Sequence, residues 1–379
     1  MKRTVIALLV LWLMGCSAAM AHQVNTFATV NANRVNVRQK PGGKTKEKLD
    51  RGECVYILEN RQQGGRDWCR VIIEDPFGQN YRSGWMAGEY LTDLHDGYRD
   101  VVKACVGVKN IALLHGDGTV SVTGFTPGYL KEAESWKDIQ QIAMGRFHLI
   151  GITKGGRVRT CSRFYGRKDA EAWQGIREVW ARPSNDFSVG ITDSGQTVDD
   201  WNGAAPKVFP SWKNAVQRYY GEYMNVYLDF DGTMHVEKAR GVSSLSGKLT
   251  RADGLDGVTQ FAAGEHAIVC LMGDGTVRCF TEDRTSGIRD AGEWTDVRQI
   301  AMGESNYVLG LKGDGTAVMA GTMDSVDENL AHESKDLPVN LNGQLAAWHD
   351  LADIAAGPFF IVGIHSDGTV DMLGAYRFQ

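Results

Sequence analysis

The stretch that decides the fold is "LHGDGTV", residues 114–120. It returns as "LMGDGTV" at 271–277, "LKGDGTAV" at 311–318 and "IHSDGTV" at 364–370. A Gly-rich phosphate loop is needed once, whereas a structural unit recurs at a fixed period. The Gly of each Asp-Gly pair, or of its degenerate form, falls at Gly118, Gly156, Gly195, Gly232, Gly275, Gly315 and Gly368. The intervals are 38, 39, 37, 43, 40 and 53 residues. A period near 40 points to a propeller, a solenoid or an array. The divergent copies "TKGGRV", "TDSGQTV" and "DFDGTM" keep the Gly but not always the Asp. That is the signature of a backbone requirement, because Gly takes a left-handed turn conformation at little steric cost.

Each phrase has an upstream half. "WKDIQQIAMGRFHLIGITKGGRV" starts at Trp136, "WTDVRQIAMGESNYVLGLKGDGTAV" at Trp294 and "WHDLADIAAGPFFIVGIHSDGTV" at Trp348. Tyr98 and Leu255 stand in the Trp position of two further copies, Trp212 opens another, and the copy from Trp173 is degraded. Each copy yields at least three strands: one through "DIQQIAMG", one through "HLIGI", and one after the Asp-Gly turn. Seven units of three or four antiparallel strands predict an all-β chain whose residues 95–379 form a seven-bladed β-propeller. The repeated Trp is read as packing between blades.

These elements, Trp-x-Asp-Ile/Val, Ile-Ala-x-Gly, Gly-Leu/Ile and Asp-Gly-Thr-Val, resemble the regulator of chromosome condensation repeat family. The resemblance implies the propeller fold. Its nuclear nucleotide-exchange activity is not carried over to a chain read as exported. The family's secreted bacterial inhibitor of β-lactamases implies that such a propeller can bind a protein.

Residues 24–93 lack the repeat. They read as short strands, "NRVNVRQKPGG", "LDRGECVYIL", "DWCRVII" and "SGWMAGEYL", with turns at Gly42-Gly43 and Gly64-Gly65. This order of motifs resembles the bacterial Src-homology-3 domain family. It implies a small, strongly bent barrel and, for many members, contact with cell-wall peptides or glycans.

Residues 1–21 read as an export signal, with Lys2 and Arg3 ahead of "TVIALLVLWLM". Two processing sites compete. "LMGC" resembles a lipobox that would make Cys16 the lipidated first residue, and "AMA" ending at Ala21 fits ordinary signal peptidase. The expected location is the outer membrane or periplasm as a lipoprotein, or else periplasmic or secreted, with membrane contact only through the lipid. A net charge of −5 argues against a nucleic-acid partner, which needs a basic face.

An exported chain can oxidise its cysteines. Cys54 and Cys69 lie on the two arms of a proposed hairpin around residues 60–66. Cys270 and Cys279 flank Asp274-Gly275 symmetrically. A two-residue turn would pair 270 with 279, whereas a three-residue loop with a glycine bulge would send them to opposite faces. Cys105 and Cys161 fall in neighbouring blades.

No phosphate loop, HExxH pair or GxSxG elbow is present. Equivalent Asp residues of different blades spread round a ring rather than converging on one cation, so neither metal nor cofactor is expected. His148 and His266 read as equivalent framework positions. No catalytic residue is assigned. Binding is the expected class, through the link before each second strand, which varies while its surroundings repeat. The link candidates are Phe147, Phe187, Tyr223, His266, Tyr307 and Phe359. The sequence therefore predicts an exported, non-catalytic protein that recognises a protein partner or a peptidoglycan-type envelope polymer. A secreted inhibitor or effector of another enzyme is the first alternative, and a propeller hydrolase or lyase the second. The inserts "RTSGIRDAGEW" and "TMDSVDENLAHESKDLPVNLNGQLAAW" are read as surface loops.

Overall fold

A computed structural model describes residues 22–74, 81–125, 128–145, 148–162, 167–181, 188–199, 214–239, 242–282, 287–303, 306–327, 333–339, 341–374 and 376–377. The export signal with Cys16, and the link residues Phe147 and Phe187, lie outside them.

Alternation of apolar residues builds the first sheet. Strands β1 (Thr26–Val30), β2 (Val35–Arg38), β3 (Thr45–Leu49), β4 (Cys54–Gln63), β5 (Arg66–Glu74), β6 (Tyr81–Ala87) and β7 (Leu91–Asp93) pair in the order β3-β2-β6-β5-β4-β1-β7. All pairings are antiparallel. The β4–β5 hairpin turns at Gly64-Gly65, both left-handed, as the two-residue turn of a twisted hairpin requires. Every strand contributes to one core, among them Ala28, Val37, Leu49, Val55, Val71, Met86 and Leu91. The sheet therefore curls round its own interior. Because side chains alternate, Phe27, Tyr56 and Ile72 point the other way, into a second core shared with later strands.

Seven three-stranded antiparallel sheets follow. Blade 1 comprises Val101–Val106, Asn110–His115 and Val120–Gly124. Blades 2 to 7 span residues 139–162, 176–199, 215–238, 258–281, 297–321 and 351–374. Each blade is continuous in sequence, with its second strand in the middle. A short 3-10 turn stands where a fourth strand could, covering the outer edge with residues such as Leu130 and Ala133 or Ile288 and Ala291.

The recurring Asp-Gly turn does two jobs. Within the blade it closes a three-residue loop: the Gly118 amide donates to the His115 carbonyl at 2.9 Å, and the His115 amide donates to Thr119 at 3.0 Å. Gly118 sits at φ +83°, the left-handed residue of a glycine bulge. Between blades, the Gly118 carbonyl accepts the Ile139 amide at 3.0 Å. The same bond joins Gly232 to Val258, Gly275 to Val297 and Gly315 to Leu351. It joins Gly368 to Val101 at 3.1 Å, so blade 7 meets blade 1 and the ring closes. A Cβ on Gly118 would stand 3.1 Å from the Asp138 Cα, which gives close approach as a second reason for Gly.

The repeated Trp packs as expected, and the structure shows what makes room for it. A Cβ on Gly151, Gly190, Gly310 or Gly363 would strike Trp136, Trp173, Trp294 or Trp348 at 3.1, 2.9, 2.7 and 3.0 Å respectively. Where Tyr98 or Leu255 replaces the Trp, Leu113 or Cys270 replaces the Gly. Flat ring and bare backbone thus go together in these blades, whereas the copy opened by Trp212 carries Tyr227 at the Gly position.

The long insert departs from its reading as a loop. Met323–Asp327 and Glu333–Val339 form an antiparallel hairpin, and Met323–Asp327 pairs in parallel with Tyr376–Arg377. After it, Asn342 both accepts from the Met319 amide and donates to the Met319 carbonyl, each at 2.9 Å, pinning the returning chain to blade 6.

Candidate functional site

The first strand of each blade carries the same bulge, for example between Ile139 and Gln141 or between Val297 and Gln299. These strands face the propeller axis, since one cavity is lined jointly by the first strands of blades 1, 2, 3, 6 and 7. Directly after the bulge stand Lys103, Gln141, Glu178, Gln217, Gln260, Gln299 and Asp353. They link neighbouring blades into a polar belt. Gln141 donates to the Val179 carbonyl and accepts from its amide, at 3.1 and 3.2 Å. Gln217 does the same to Phe261 at 2.5 and 2.9 Å. Gln260 accepts from the Ile300 amide, Gln299 donates to Asp353, and Lys103 donates to Asp353 at 2.8 Å. A primary amide suits this task because it offers a donor and an acceptor to one peptide group.

Blade 3 joins blade 4 by charge instead. Arg218 donates to Glu178 at 2.8 Å, and its guanidinium lies 5.5 Å from the centre of the Trp180 ring. The Arg218 side chain is 1% exposed. Burial lowers its pKa, the Glu178 carboxylate opposing the shift, and burial raises that of Glu178 against the pull of Arg218. Both ions are held at a desolvation cost, offset only while they stay paired.

Beyond the belt, at the end where the links leave the first strands, the cavity measures about 300 Å³. Its wall is largely apolar, with Val106, Val108, Met144, Trp180, Met302 and Pro358 among Ala and Gly, and Gln141 of the belt also lines it. Among the described residues the one titratable group in the lining is Cys105, whose thiol donates to the Ile142 carbonyl at 3.2 Å. Burial pushes that thiol up to about 11, so it is neutral and a poor nucleophile near pH 7. Such a wall can hold an apolar side chain but offers no acid, base or activated nucleophile among the described residues.

The four described link candidates are not all gathered together. Tyr223 is exposed and stacks on His266 at 5.8 Å, with Glu282 3.4 Å from the imidazole. Tyr307 is buried, because blade 6 carries an extra link residue and Tyr307 opens the second strand; it donates to the Gly357 carbonyl. Phe359 is buried in the core shared with the first sheet. His148 and His266 are not equivalent: His148 opens its strand and is buried, whereas His266 precedes Ala267 at the strand start. Tyr223 and His266 stand on the links of blades 4 and 5, outside the cavity's lining, whereas Trp180, Met144 and Met302 line it from positions the repeat pattern hid as ordinary strand.

The disulfide expectations are corrected by register. Cys69 lies opposite Asn60, while Cys54 pairs with Thr29 and looks into the other core, so the two are offset along the hairpin and on different faces. The glycine-bulge alternative holds for the second pair: Cys270 opposes Arg278 and Cys279 opposes Val269. The six described cysteines are free thiols, Cys105 and Cys161 included. Burial pushes Cys69, Cys161 and Cys270 up to about 12 and Cys279 up to about 11.

The Asp-Gly-Thr carboxylates are spent locally. Asp117, Asp274, Asp314 and Asp367 each accept from the amide and the hydroxyl of the Thr two residues on, at 2.6–3.0 Å.

No family model matches the chain, and no curated protein matches it. Among solved structures it is similar to the CRINKLY WD40 ectodomain of the Arabidopsis thaliana receptor kinase ACR4, at 14% identity over 74% of this chain and 97% of that one, TM-score 0.47. It is also similar to Prp20p from Saccharomyces cerevisiae, at 16% identity over 66% and 74% of the two chains, TM-score 0.45. These likenesses concern architecture alone, and the all-β propeller stands on the chain's own strand pairing.

Proposed function

We propose that this chain is an exported, non-catalytic binding protein that holds a protein partner on the axial face of its propeller. The observation that carries the proposal is the axial cavity: a roughly 300 Å³ largely apolar recess with a Trp and two Met in its wall and, among the described residues, no charged group in its lining. Aromatic and Met side chains around a recess are the groups that protein interfaces favour, because they bury area at low entropic cost. Tyr223 and His266, stacked on each other on the links of blades 4 and 5, are the further contact candidates. Export through residues 1–21, with a lipid on Cys16 as the anchor, belongs to the same proposal, and the motifs of residues 24–93 make that segment the candidate for envelope-polymer contact.

The test is capture from an envelope extract by the mature chain and by the triple variant Trp180→Ala, Tyr223→Ala, Met302→Ala, with equal melting behaviour verified first. The expected result is a captured protein that the variant loses. Equal capture by both chains, or none by either, contradicts the axial reading.

A further inference from the structure

A second constellation lies away from the axis, where the first sheet hands over to the propeller. Helix α1 (Leu94–Gly97) follows β7 and carries His95. His365 ends the second strand of blade 7 and Asp371 lies in its third strand. His95 Nδ1 is 3.1 Å from one Asp371 oxygen, and His365 Nε2 is 3.0 Å from the other. One nitrogen of each imidazole and one carboxylate oxygen all lie within 4.8 Å of one another. The two rings meet edge-on at 5.5 Å.

Part of this arrangement is common to the fold. The same two strand positions hold His115 and Ser121 in blade 1, at 2.8 Å, and Asp229 and His235 in blade 4, at 3.0 Å. A polar pair across the hairpin therefore recurs in two other blades. What distinguishes blade 7 is the third group, brought from a segment about 270 residues away. A hairpin that needed only a polar pair would not require it.

We propose that His95, His365 and Asp371 bind one divalent transition cation of the zinc class, clamping the segment between sheet and propeller onto blade 7. Two imidazoles and a carboxylate are a donor set that zinc accepts, at bond lengths of about 2.0–2.2 Å. Tetrahedral bonds of that length place ligand atoms roughly 3.3 Å apart. The contacts of 3.1 and 3.0 Å run to different oxygens of Asp371, and one ligand atom from each residue lies within 4.8 Å of the others, so side-chain rotations must draw the three together round the ion. His95 is 46% exposed on its side chain, whereas His365 and Asp371 are largely covered. Solvent thus reaches one side, where water can complete the shell. Asp367 stands at the tip of the same hairpin, two residues from His365, where it accepts from the Thr369 amide and hydroxyl. Arg99 donates to the His95 carbonyl, which engages its guanidinium there.

The experiment titrates the chelator-treated mature chain with zinc chloride by calorimetry, and with cobalt to read the visible bands of a low-symmetry N/O site. One equivalent is expected to bind and to raise the melting temperature. Removing a mere supporting partner of a metal ligand costs about 10–100-fold in affinity, so losing a ligand should cost about 100-fold or more. His95→Gln and His365→Gln should each show that loss, whereas His235→Gln, in the pair of blade 4, should leave zinc affinity unchanged. His95 lies on an exposed four-residue helix, so its variant tests the site even where His365→Gln folds poorly. Absence of binding heat and cobalt bands, or undiminished affinity in His95→Gln, overturns the proposal.

Discussion

Asp274 is fully exposed, yet its carboxyl is held below the ordinary range, first by the Thr276 hydroxyl and then by the Thr276 amide. Asp117, Asp314 and Asp367 are held down by the same two bonds. The sign follows from linkage. With the folded pKa depressed, the unfolded chain takes up protons first as pH falls. The turns' contribution is therefore present above the ordinary value of 3.8 and is lost as pH falls through the lower folded value. Carboxyl-carbon NMR of the folded protein should show these four groups titrating with midpoints below 3.8. Thr276→Val should move Asp274 upward and leave Asp314 in place; an unmoved Asp274 would mean that the Thr bonds are not the cause.

At the scale of one blade, the decisive contact is the Trp ring lying on a Gly of the middle strand. Gly310→Ala places a methyl 2.7 Å from the Trp294 ring, and overpacking of this kind costs about 1–3 kcal/mol. Trp294→Leu in the same chain should recover part of that loss, reproducing the Leu255 and Cys270 pairing of blade 5. Urea melts of the two variants would check it, and additive losses would refute the coupling. Trp and Gly were both visible in the repeat, since each recurs at fixed distance from Asp-Gly. Their mutual dependence was not, because the Trp stands ahead of the first strand and the Gly lies in the second. The cysteines mark the same limit. Two turn geometries fit Cys270 and Cys279 equally in sequence, and only the bulge at Gly275 sends them to opposite faces.

In the molecule as a whole, the first sheet and the propeller share one core. Phe27 meets Phe125 at 5.0 Å, Phe360 at 5.1 Å and Tyr56 at 5.4 Å, and the Gly374 amide donates to the Asn25 carbonyl at 2.8 Å. Phe360→Ala should cost about 3–5 kcal/mol and separate the unfolding of the sheet from that of the propeller, resolved by calorimetry. One unchanged transition would mean that the two are held together elsewhere. Nothing in the repeat marked Phe359 and Phe360 as a junction, because the residues they meet come from outside it. His95 escaped for the same reason: its partners are remote in sequence, and no spacing rule connects them.

The bond that closes the ring, Gly368 to Val101, is the same bond that joins each internal pair of blades so linked. In its backbone bond the seam matches those junctions, although an ion pair, Lys103 with Asp353, stands there in place of a side-chain amide. A chain with its ends apart would thus offer a head and a tail that fit a second copy as well as they fit each other, a heterologous contact that propagates into fibres when it fails to close. The first sheet changes that competition. By packing on residues from both blade 1 and blade 7, it holds the two ends at high effective concentration, so that closure within one chain outruns growth between chains.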